Sequence, residues 1–180
     1  GRGISILRLW KSKAPSLDMR LFDQGQYMKA VEQQAMAEVI SKVLYPADNH
    51  YEGKSLRLKQ QYFFVSATVQ SIARKHLETY GTLKNFHEKN VIQINDTHPS
   101  MIIPELIRLL GEKGVGFDEA VEIVTNTCAY TNHTILSEAL EKWPSGSLYR
   151  VVPHLMPIIG QLDQIARSRT SDMSTAIIDG

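Results

Sequence analysis

The chain has 180 residues, of which 43% are hydrophobic and 22% charged, a composition typical of one globular domain. Its formal net charge is +1, and its lysines and arginines are scattered along the sequence, so we expect no nucleic-acid-binding surface. Cys128 is the single cysteine, which excludes an internal disulfide and a CxxC metal or redox motif. Because no apolar run reaches the roughly 18 residues that a membrane helix needs, we expect no membrane partner and a cytoplasmic location.

The first part of the chain predicts a strand and then a helix. Residues 4–9 form a short apolar run that suits a buried strand. Asp23 stands three residues before Gln26, the spacing of a capping box, and so indicates a helix start. We expect this helix to stop near Tyr45, since the proline that follows disfavours a helical residue in front of it. Its predicted buried face consists of Val31, Ala35, Val39 and Val43.

A second helical stripe follows the turn-forming segment YPADNHYEGK. The stripe predicts a helix that reaches Tyr80 and stops at Gly81, because glycine tolerates the left-handed conformation that commonly ends a helix. We interpret residues 62–64, Tyr-Phe-Phe, as core and not as a stacking platform for a ligand. The apolar positions of the stripe are Leu58, Tyr62, Val65, Val69, Ile72 and Ala73.

A strand–helix–helix–strand pattern comes next. The β-branched run VIQIN, residues 91–95, predicts a strand, and we expect a helix to begin close to Ile103, with Pro104 in its first turn. GFDEAVEIVTNT predicts a short amphipathic helix, and CAYTNH predicts a second strand. A strand that returns after about 30 residues of helical crossover is typical of a parallel βαβ unit. The last third predicts one more helix, through Ile158, Ile159, Leu162 and Ile165.

Polar residues follow both predicted strands. Residues 96–98, Asp-Thr-His, come after the first strand, and residues 132–134, Asn-His-Thr, come after the second. In open parallel sheets, ligands bind beyond the carboxyl ends of the strands, so that both clusters are expected at one cleft. The same residue types are also ordinary helix caps and turn residues, which bond only to their own backbone. The pattern leaves both interpretations open.

Other classes of site lack their usual motifs. His76 and His87 flank a loop, but no HxxxH, HExxH or HxD pair occurs, so we expect no metal site. Without a GxSxG motif, Ser100 is better interpreted as a first-turn helix residue than as a nucleophile. No GxGxxG or GxxxxGKS is present, so a dinucleotide or P-loop site lacks its backbone cradle.

Four long motifs carry a family resemblance: RLWKSKAP, KVLYPADNHYEGKSLRLKQQYFFVSATVQSIARK, VIQINDTHPSMIIPELIRLL and AYTNHTILSEALEKW. In this order and spacing, from Leu7 to Trp143, they resemble the glycogen and maltodextrin phosphorylases. The resemblance implies a glycosyltransferase that releases glucose 1-phosphate from α-1,4-linked glucan by phosphorolysis, with pyridoxal phosphate as cofactor. It also implies an α/β fold class, a Rossmann-like parallel-sheet segment with long helices from the N-terminal lobe of a GT-B-type enzyme.

The resemblance further implies a role for individual residues. His133, in YTNHT, matches the histidine whose carbonyl and ring contact the sugar in the catalytic subsite, and Asp96 matches an acidic residue near it. PADN resembles a mobile gate loop, in which Asn49 contacts glucose and Asp48 is its gating neighbour. If phosphate carries the proton, the two aspartates act by position and charge. Supporting substrate-binding positions are His98, Asn132 and Thr134.

Two further residues match a regulatory position. Arg74 and Lys75 stand where regulated animal members hold two arginines for an allosteric phosphate. Lysine lacks the bidentate fork of arginine, which makes nucleotide control doubtful. The alternative interpretation is a solvated helix face.

The organisation of the parent protein follows from the same resemblance. We interpret residues 1–180 as a single partial domain, because the cofactor lysine of the family belongs to a C-terminal domain that nothing here matches. We expect a homodimeric parent enzyme, and an isolated segment that is inactive and self-associates through exposed apolar patches. The alternative is a non-catalytic carbohydrate-binding or oligomerisation module. A sugar-nucleotide transferase is a third hypothesis.

Overall fold

The computed structural model describes residues 3–136, 138 and 140–178. The chain consists of two compact units, Gly1–Phe64 and Val65–Gly180. A long helix, α3 (Tyr51–Tyr80), contributes its residues 51–64 to the first unit and its residues 65–80 to the second. Within the described ranges, no helix is both long and apolar enough to cross a bilayer.

The first unit begins with an extended segment and two helices. Residues 3–18 form no helix or strand, and α1 follows at Met19–Asp23. The carboxylate of Asp18 caps α1 by accepting a hydrogen bond from the Arg20 backbone N–H at 3.0 Å. Gly25, at φ 75°, then turns the chain into α2, Tyr27–Val39.

Three sequence predictions about this unit are wrong. Residues 4–9 form no strand, and Ile4 is 89% exposed, because no described strand of the first unit is present to pair with the segment. Asp23 is the last residue of α1 and does not cap α2, since the Gly25 turn separates the two helices. The second helix ends at Val39 and does not reach Tyr45.

The predicted buried face of α2 is largely exposed: Val31 and Ala35 are exposed, Val39 is half-buried, and Val43 lies beyond the end of the helix. The buried residue of α2 is Ala30, whereas Val31 is 48% exposed. The extended segment meets the end of α2 through polar bonds: the Ser12 hydroxyl donates to the Ala37 carbonyl, and the Ser12 N–H donates to Ser41 Oγ at 2.8 Å. The four-residue spacing therefore marks a face of α2 that the described neighbours in this unit cover only in part.

The first part of α3 packs as the sequence predicts. Leu58 is fully buried, and Tyr62, Phe63 and Phe64 are half-buried, which partly confirms their interpretation as core. The rings of Phe63 and Phe64 meet edge to face, with centroids 5.4 Å apart.

The second unit contains the sheet. The predicted end of α3 is confirmed, because Gly81, at φ 72°, donates its N–H to the Leu77 carbonyl at 2.8 Å. The remaining elements are α4 (Phe86–Lys89), β1 (Ile92–Asn95), α5 (Ile102–Glu112), α6 (Phe117–Thr127), β2 (Cys128–Thr131), α7 (Ser145–Val151) and α8 (Met156–Arg169), with 3-10 turns at Pro153–Leu155 and Met173–Thr175.

The two strands are parallel, which confirms the predicted βαβ unit. Ile92 is paired with Cys128, and Asn95 is paired with Thr131, so the strands run in register over their whole length. The crossover consists of α5 and α6, which pack against each other. The described residues thus form a mixed α/β structure with a two-stranded parallel sheet.

The core of the second unit surrounds α5, which packs against α6 and α8. One charged side chain lies on its buried face: Glu105 is 0% exposed. Ser66 Oγ donates to one carboxylate oxygen of Glu105 at 2.7 Å, and Arg108 donates to both oxygens, from Nη2 and Nε, at 2.8 Å each. This bidentate pair compensates the desolvation of the carboxylate. The apolar residues that α5 buries are Ile102, Pro104, Leu106, Ile107, Leu109 and Leu110.

A polar rim at the ends of the parallel strands

The polar rim consists of residues 95–98, at the end of β1, and residues 132–134, at the end of β2. Because the two strands are parallel, both segments leave the sheet at the same edge. The Asp96 N–H donates to the Thr131 carbonyl at 2.9 Å, which extends the backbone pairing by one residue beyond β1. The structure therefore brings the two polar clusters together at one edge, as the sequence predicts.

Asp96 turns the chain away from the sheet. Its φ is 67°, in the left-handed region that aspartate tolerates better than most residues. One carboxylate oxygen accepts the Thr97 N–H at 2.8 Å, and the side chain is half-buried. One carboxylate oxygen of Asp96 thus stabilises this turn, while the other is available to a hydrogen-bond donor from a ligand.

The His133 side chain connects the two segments of the rim. The ring is exposed, and its Nε2 is hydrogen-bonded to Oδ1 of Asn95, the last residue of β1. Because an amide oxygen accepts hydrogen bonds, this contact favours the tautomer in which Nε2 carries the proton. In the neutral ring, Nδ1 is then left as an acceptor.

Asn132 and Thr134 build the turn that carries His133. Asn132 Oδ1 accepts the Thr134 N–H at 3.1 Å, and its amide Nδ2 donates to the Thr134 carbonyl at 2.6 Å. Thr134 Oγ1 in turn accepts the Leu136 N–H at 3.2 Å. These bonds match the turn interpretation of the sequence, and they fix the backbone on both sides of His133.

His98 and Ser100 lie between β1 and α5. His98 is exposed in the turn that follows Asp96. Ser100 donates its N–H to the Thr97 carbonyl at 3.0 Å and accepts the Ile103 N–H at 3.1 Å through its own carbonyl. Ser100 therefore lies in the turn that leads into α5, two residues before the helix begins, and not in its first turn as the sequence predicts.

Asp48 and Asn49 lie in the first unit, in the loop between α2 and α3. Asp48 is exposed and forms a long ion pair with Arg57, at 4.0 Å. The loop lies against the first turn of α3 so tightly that a Cβ at Gly53 would collide with the Ala47 carbonyl. The backbone of the loop thus packs against α3 at Ala47, while residues 48 and 49 are exposed.

Gln60 holds the earlier part of the same loop. Its amide donates to the Ile40 carbonyl at 2.9 Å and to the Val43 carbonyl at 2.5 Å. Arg57 lies over the ring of Tyr45, 5.1 Å from its centroid, and Tyr45 itself has a φ of 53°. These contacts give the loop a defined backbone path.

The two residues at the predicted regulatory position are exposed. Arg74 and Lys75 lie on the part of α3 that belongs to the second unit, next to the buried Ala73. This placement agrees with a solvated helix face and leaves both side chains accessible to an anion.

Two candidate groups outside the rim have structural explanations. The described residues contain no group of three or more potential metal ligands, and His76 is buried between Asn85, which accepts from Nε2 at 2.9 Å, and Asn90, which donates to Nδ1 at 2.9 Å. Burial raises the pKa of the Cys128 thiol to about 11, so the thiol is protonated at neutral pH.

Sequence reasoning missed two residues of importance. Glu105 interrupts an apolar stripe and has an arginine three residues later, which together signal a buried ion pair. Asn95 was part of a strand prediction without a role of its own. Its contact with His133 follows from the register of two strands, which the sequence of one strand does not contain.

Comparison with known proteins identifies relatives along most of the chain. A family model described as "Carbohydrate phosphorylase" matches residues 2–177. The brain form of glycogen phosphorylase from Bos taurus, and that from Homo sapiens, are each 46% identical over 172 residues. The muscle form from Oryctolagus cuniculus is 44% identical over 171 residues. In each case the match covers 89% of this chain and 20% of the relative, so the chain spans about a fifth of the length of these proteins.

Proposed function

The chain belongs to the carbohydrate phosphorylase family, and on that basis we propose that it is a segment of an α-1,4-glucan phosphorylase, a glycosyltransferase that releases glucose 1-phosphate from glycogen or maltodextrin. Within that enzyme the segment contributes residues that contact the sugar. Its two-stranded parallel sheet belongs to the N-terminal lobe of a GT-B-type fold, and residues 1–180 form a part of that lobe.

One observation carries this proposal: the parallel pairing of β1 with β2 places Asp96 and His133 at the same edge of the sheet. A glucosyl unit presents hydroxyl groups, which pair with carboxylate, amide and imidazole groups of the kind that line the polar rim. The family membership indicates the type of reaction, and the side chains of the polar rim are of the kinds that bind a sugar.

The chemistry of glucan cleavage gives the rim residues their roles. The transition state has oxocarbenium character, so a carboxylate or a carbonyl near the anomeric carbon stabilises the developing positive charge. We assign Asp96 and the His133 carbonyl to this electrostatic role, and the His133 ring to a sugar hydroxyl. His98, Asn132 and Thr134 support the site, the last two by holding the His133 turn.

Pyridoxal phosphate would be held by other parts of the enzyme. When bound, it supplies a phosphate group that gives and takes a proton. A lysine that is attached to such a cofactor is normally desolvated. None of the lysine side chains in residues 3–136 and 140–178 is buried, so the described part of this chain does not fit the attachment site.

The residues outside the rim complete the proposal. We assign Asp48 and Asn49 to a gate loop, with Asn49 as the glucose contact. Arg74 and Lys75 are the candidate site for an effector phosphate, with solvation as the alternative. The exposed apolar residues of α2, which include Met28 and Val31, are the candidate surface for self-association, consistent with a dimeric parent.

The test is phosphorolysis by the complete protein that contains this chain, supplied with maltoheptaose, inorganic phosphate and pyridoxal phosphate. We expect glucose 1-phosphate from the complete protein and none from the isolated 180-residue chain. Glucan binding without turnover by the complete, cofactor-loaded protein would contradict the proposal and favour a non-catalytic carbohydrate-binding module. Light scattering on the isolated chain tests self-association, and a strict monomer would contradict that part.

A further inference from the structure

We propose that Asn95 is a positioning residue, which sets the orientation of the His133 ring and the nitrogen that carries its proton. The hydrogen bond between Asn95 Oδ1 and His133 Nε2 is the contact on which the proposal depends. The catalytic consequence rests on the proposed function above, whereas the contact itself can be tested without any enzymatic activity.

The register of the sheet brings these two side chains together. Asn95 is paired with Thr131, and His133 follows Thr131 by two residues. Side chains alternate along a strand, and Ile94 is buried, so Asn95 lies on the opposite, exposed face. The side-chain amide of Asn95, at the end of β1, is thus within reach of the His133 ring, which follows β2.

A second amide on the same face provides a matched reference. Gln93 is exposed like Asn95, and its Nε2 donates to Thr131 Oγ1 at 2.6 Å, again across the two strands. Gln93 therefore connects β1 to β2, whereas Asn95, two residues later, connects β1 to the segment that follows β2. Only the contact of Asn95 involves His133, so substitutions at the two positions separate a general effect on the sheet from an effect on the ring.

The orientation of the amide determines which chemistry the rim offers. With the oxygen of Asn95 toward Nε2, the neutral ring keeps Nδ1 as its acceptor. The carboxylate of Asp96 is also an acceptor. The rim then presents acceptors on both segments, an arrangement that suits a ligand rich in hydroxyl donors.

The first test uses nuclear magnetic resonance on the isolated 180-residue chain. Long-range proton–nitrogen spectra report the protonation of each ring nitrogen, and His133→Gln identifies the signals of His133. We expect the neutral ring to carry its proton on Nε2, and Asn95→Leu to increase the Nδ1-protonated form. Gln93→Leu is expected to leave the ring signals unchanged. An Nδ1-protonated ring in the unmodified chain, or an unchanged ring in Asn95→Leu, would overturn the proposal.

A charge substitution tests the same contact if Asn95→Leu disturbs the fold. Asn95→Asp keeps an acceptor and adds a negative charge beside the ring, so the pKa of His133 should rise by about one unit. Gln93→Glu places its charge two residues earlier on β1, farther from the ring, and should raise the pKa of His133 less. Equal shifts for the two variants, or no shift for Asn95→Asp, would overturn the proposal.

The catalytic part requires the complete protein. We expect Asn95→Leu to lower kcat/KM for phosphorolysis by roughly tenfold, with Gln93→Leu close to the unmodified enzyme. If the ring signals respond to Asn95→Leu but kcat/KM does not, Asn95 positions the ring without serving the reaction, which overturns its catalytic role. If the complete protein has no phosphorylase activity, the proposed function fails, and the ring measurements still decide the structural claim.

Discussion

The helices α2 and α5 both carry apolar residues at helical spacing, yet they bury them very differently. In α5, seven residues of eleven are buried, and α6 and α8 pack against it. In α2, Ala30 is buried, while Met28 is 80% exposed. An apolar stripe thus determines where a helix forms, and the surrounding elements determine whether the stripe becomes core.

The difference extends to the polar residues of the two helices. On α5, a carboxylate lies within the apolar face and is compensated by Arg108 and Ser66. On α2, the charged Glu38 lies at the surface in an i,i+4 pair with Lys42, at 3.2 Å. A buried pair is costly to break, whereas an exposed one contributes little, so the same type of interaction has a different energetic weight in each helix.

The largest expected effect comes from breaking the buried pair. Glu105→Ala leaves Arg108 and the Ser66 hydroxyl without their acceptor, and we expect the free energy of unfolding to fall by about 3–5 kcal/mol. Glu112→Ala is the matched control, because Glu112 pairs with the same arginine but its side chain is 55% exposed. We expect that control to cost less than about 1 kcal/mol in urea unfolding. Equal costs would contradict the assignment of Glu105 to the core.

A paired truncation of apolar residues tests the comparison directly. Leu106 on α5 is 0% exposed, and Leu106→Ala should cost about 2–5 kcal/mol because it leaves a cavity. At a concentration at which light scattering shows a monomer, Val31→Ala on α2 should change stability by less than about 0.5 kcal/mol. A cost above about 1 kcal/mol under those conditions would show that another part of the chain covers the α2 stripe.

Two glycines sharpen the same contrast at the level of the backbone. Gly25, in the turn before α2, has a φ of 75°, so Gly25→Ala should destabilise by about 1 kcal/mol although no atom lies near the added methyl group. Gly111 is a helical residue of α5 with open space around it, and Gly111→Ala should stabilise by about 0.5–1 kcal/mol. Thermal unfolding of both variants checks the signs, and the same sign for both would refute the backbone explanation.

The smallest effect concerns acid pH. Asp163 on α8 accepts hydrogen bonds from Arg167 Nε at 2.7 Å and from the Ile178 and Ile177 N–H groups, which hold its pKa below the usual 3.8. A depressed carboxyl pKa adds stability that is complete above the usual value and is lost as the pH falls through the lowered value. The Asp163→Asn variant should therefore lose less stability than the unmodified chain as the pH falls below about 4.

A matched aspartate lies in the first unit. The pKa of Asp18 is lowered by its hydrogen bond with the Arg20 side chain, but Asp18 caps a short exposed helix. Asp18→Asn is expected to change the acid unfolding profile less than Asp163→Asn does. The reverse order would show that the cap of α1, and not the packing of α8, controls acid stability.

The parts of the fold that the sequence predicts are those determined by local pattern. The end of α3 at Gly81 and the strands β1 and β2 follow from backbone preference and apolar periodicity within a few residues. Residues 4–9 have the pattern of a strand but need a partner, which no short window of sequence can supply. The exposure of α2 is unpredictable for the same reason.

In the candidate site, too, some features follow from local sequence pattern and others depend on tertiary contacts. Asp96 and His133 could be placed at one edge because parallel strands share the edge at which they end. The contact of His133 with Asn95 depends on the register, and the ion pair of Glu105 depends on which helix face is buried. Both are tertiary properties that become visible only when the elements are assembled.

The central claim, that the polar rim takes part in glucan phosphorolysis, is tested most directly by kcat/KM of the complete protein carrying His133→Ala. The control is His154→Ala, which changes a histidine in the 3-10 turn Pro153–Leu155, outside the rim. We expect a fall of about 10- to 100-fold for His133→Ala and little change for His154→Ala. A His133→Ala enzyme that is folded, loaded with cofactor and as active as the control would contradict it.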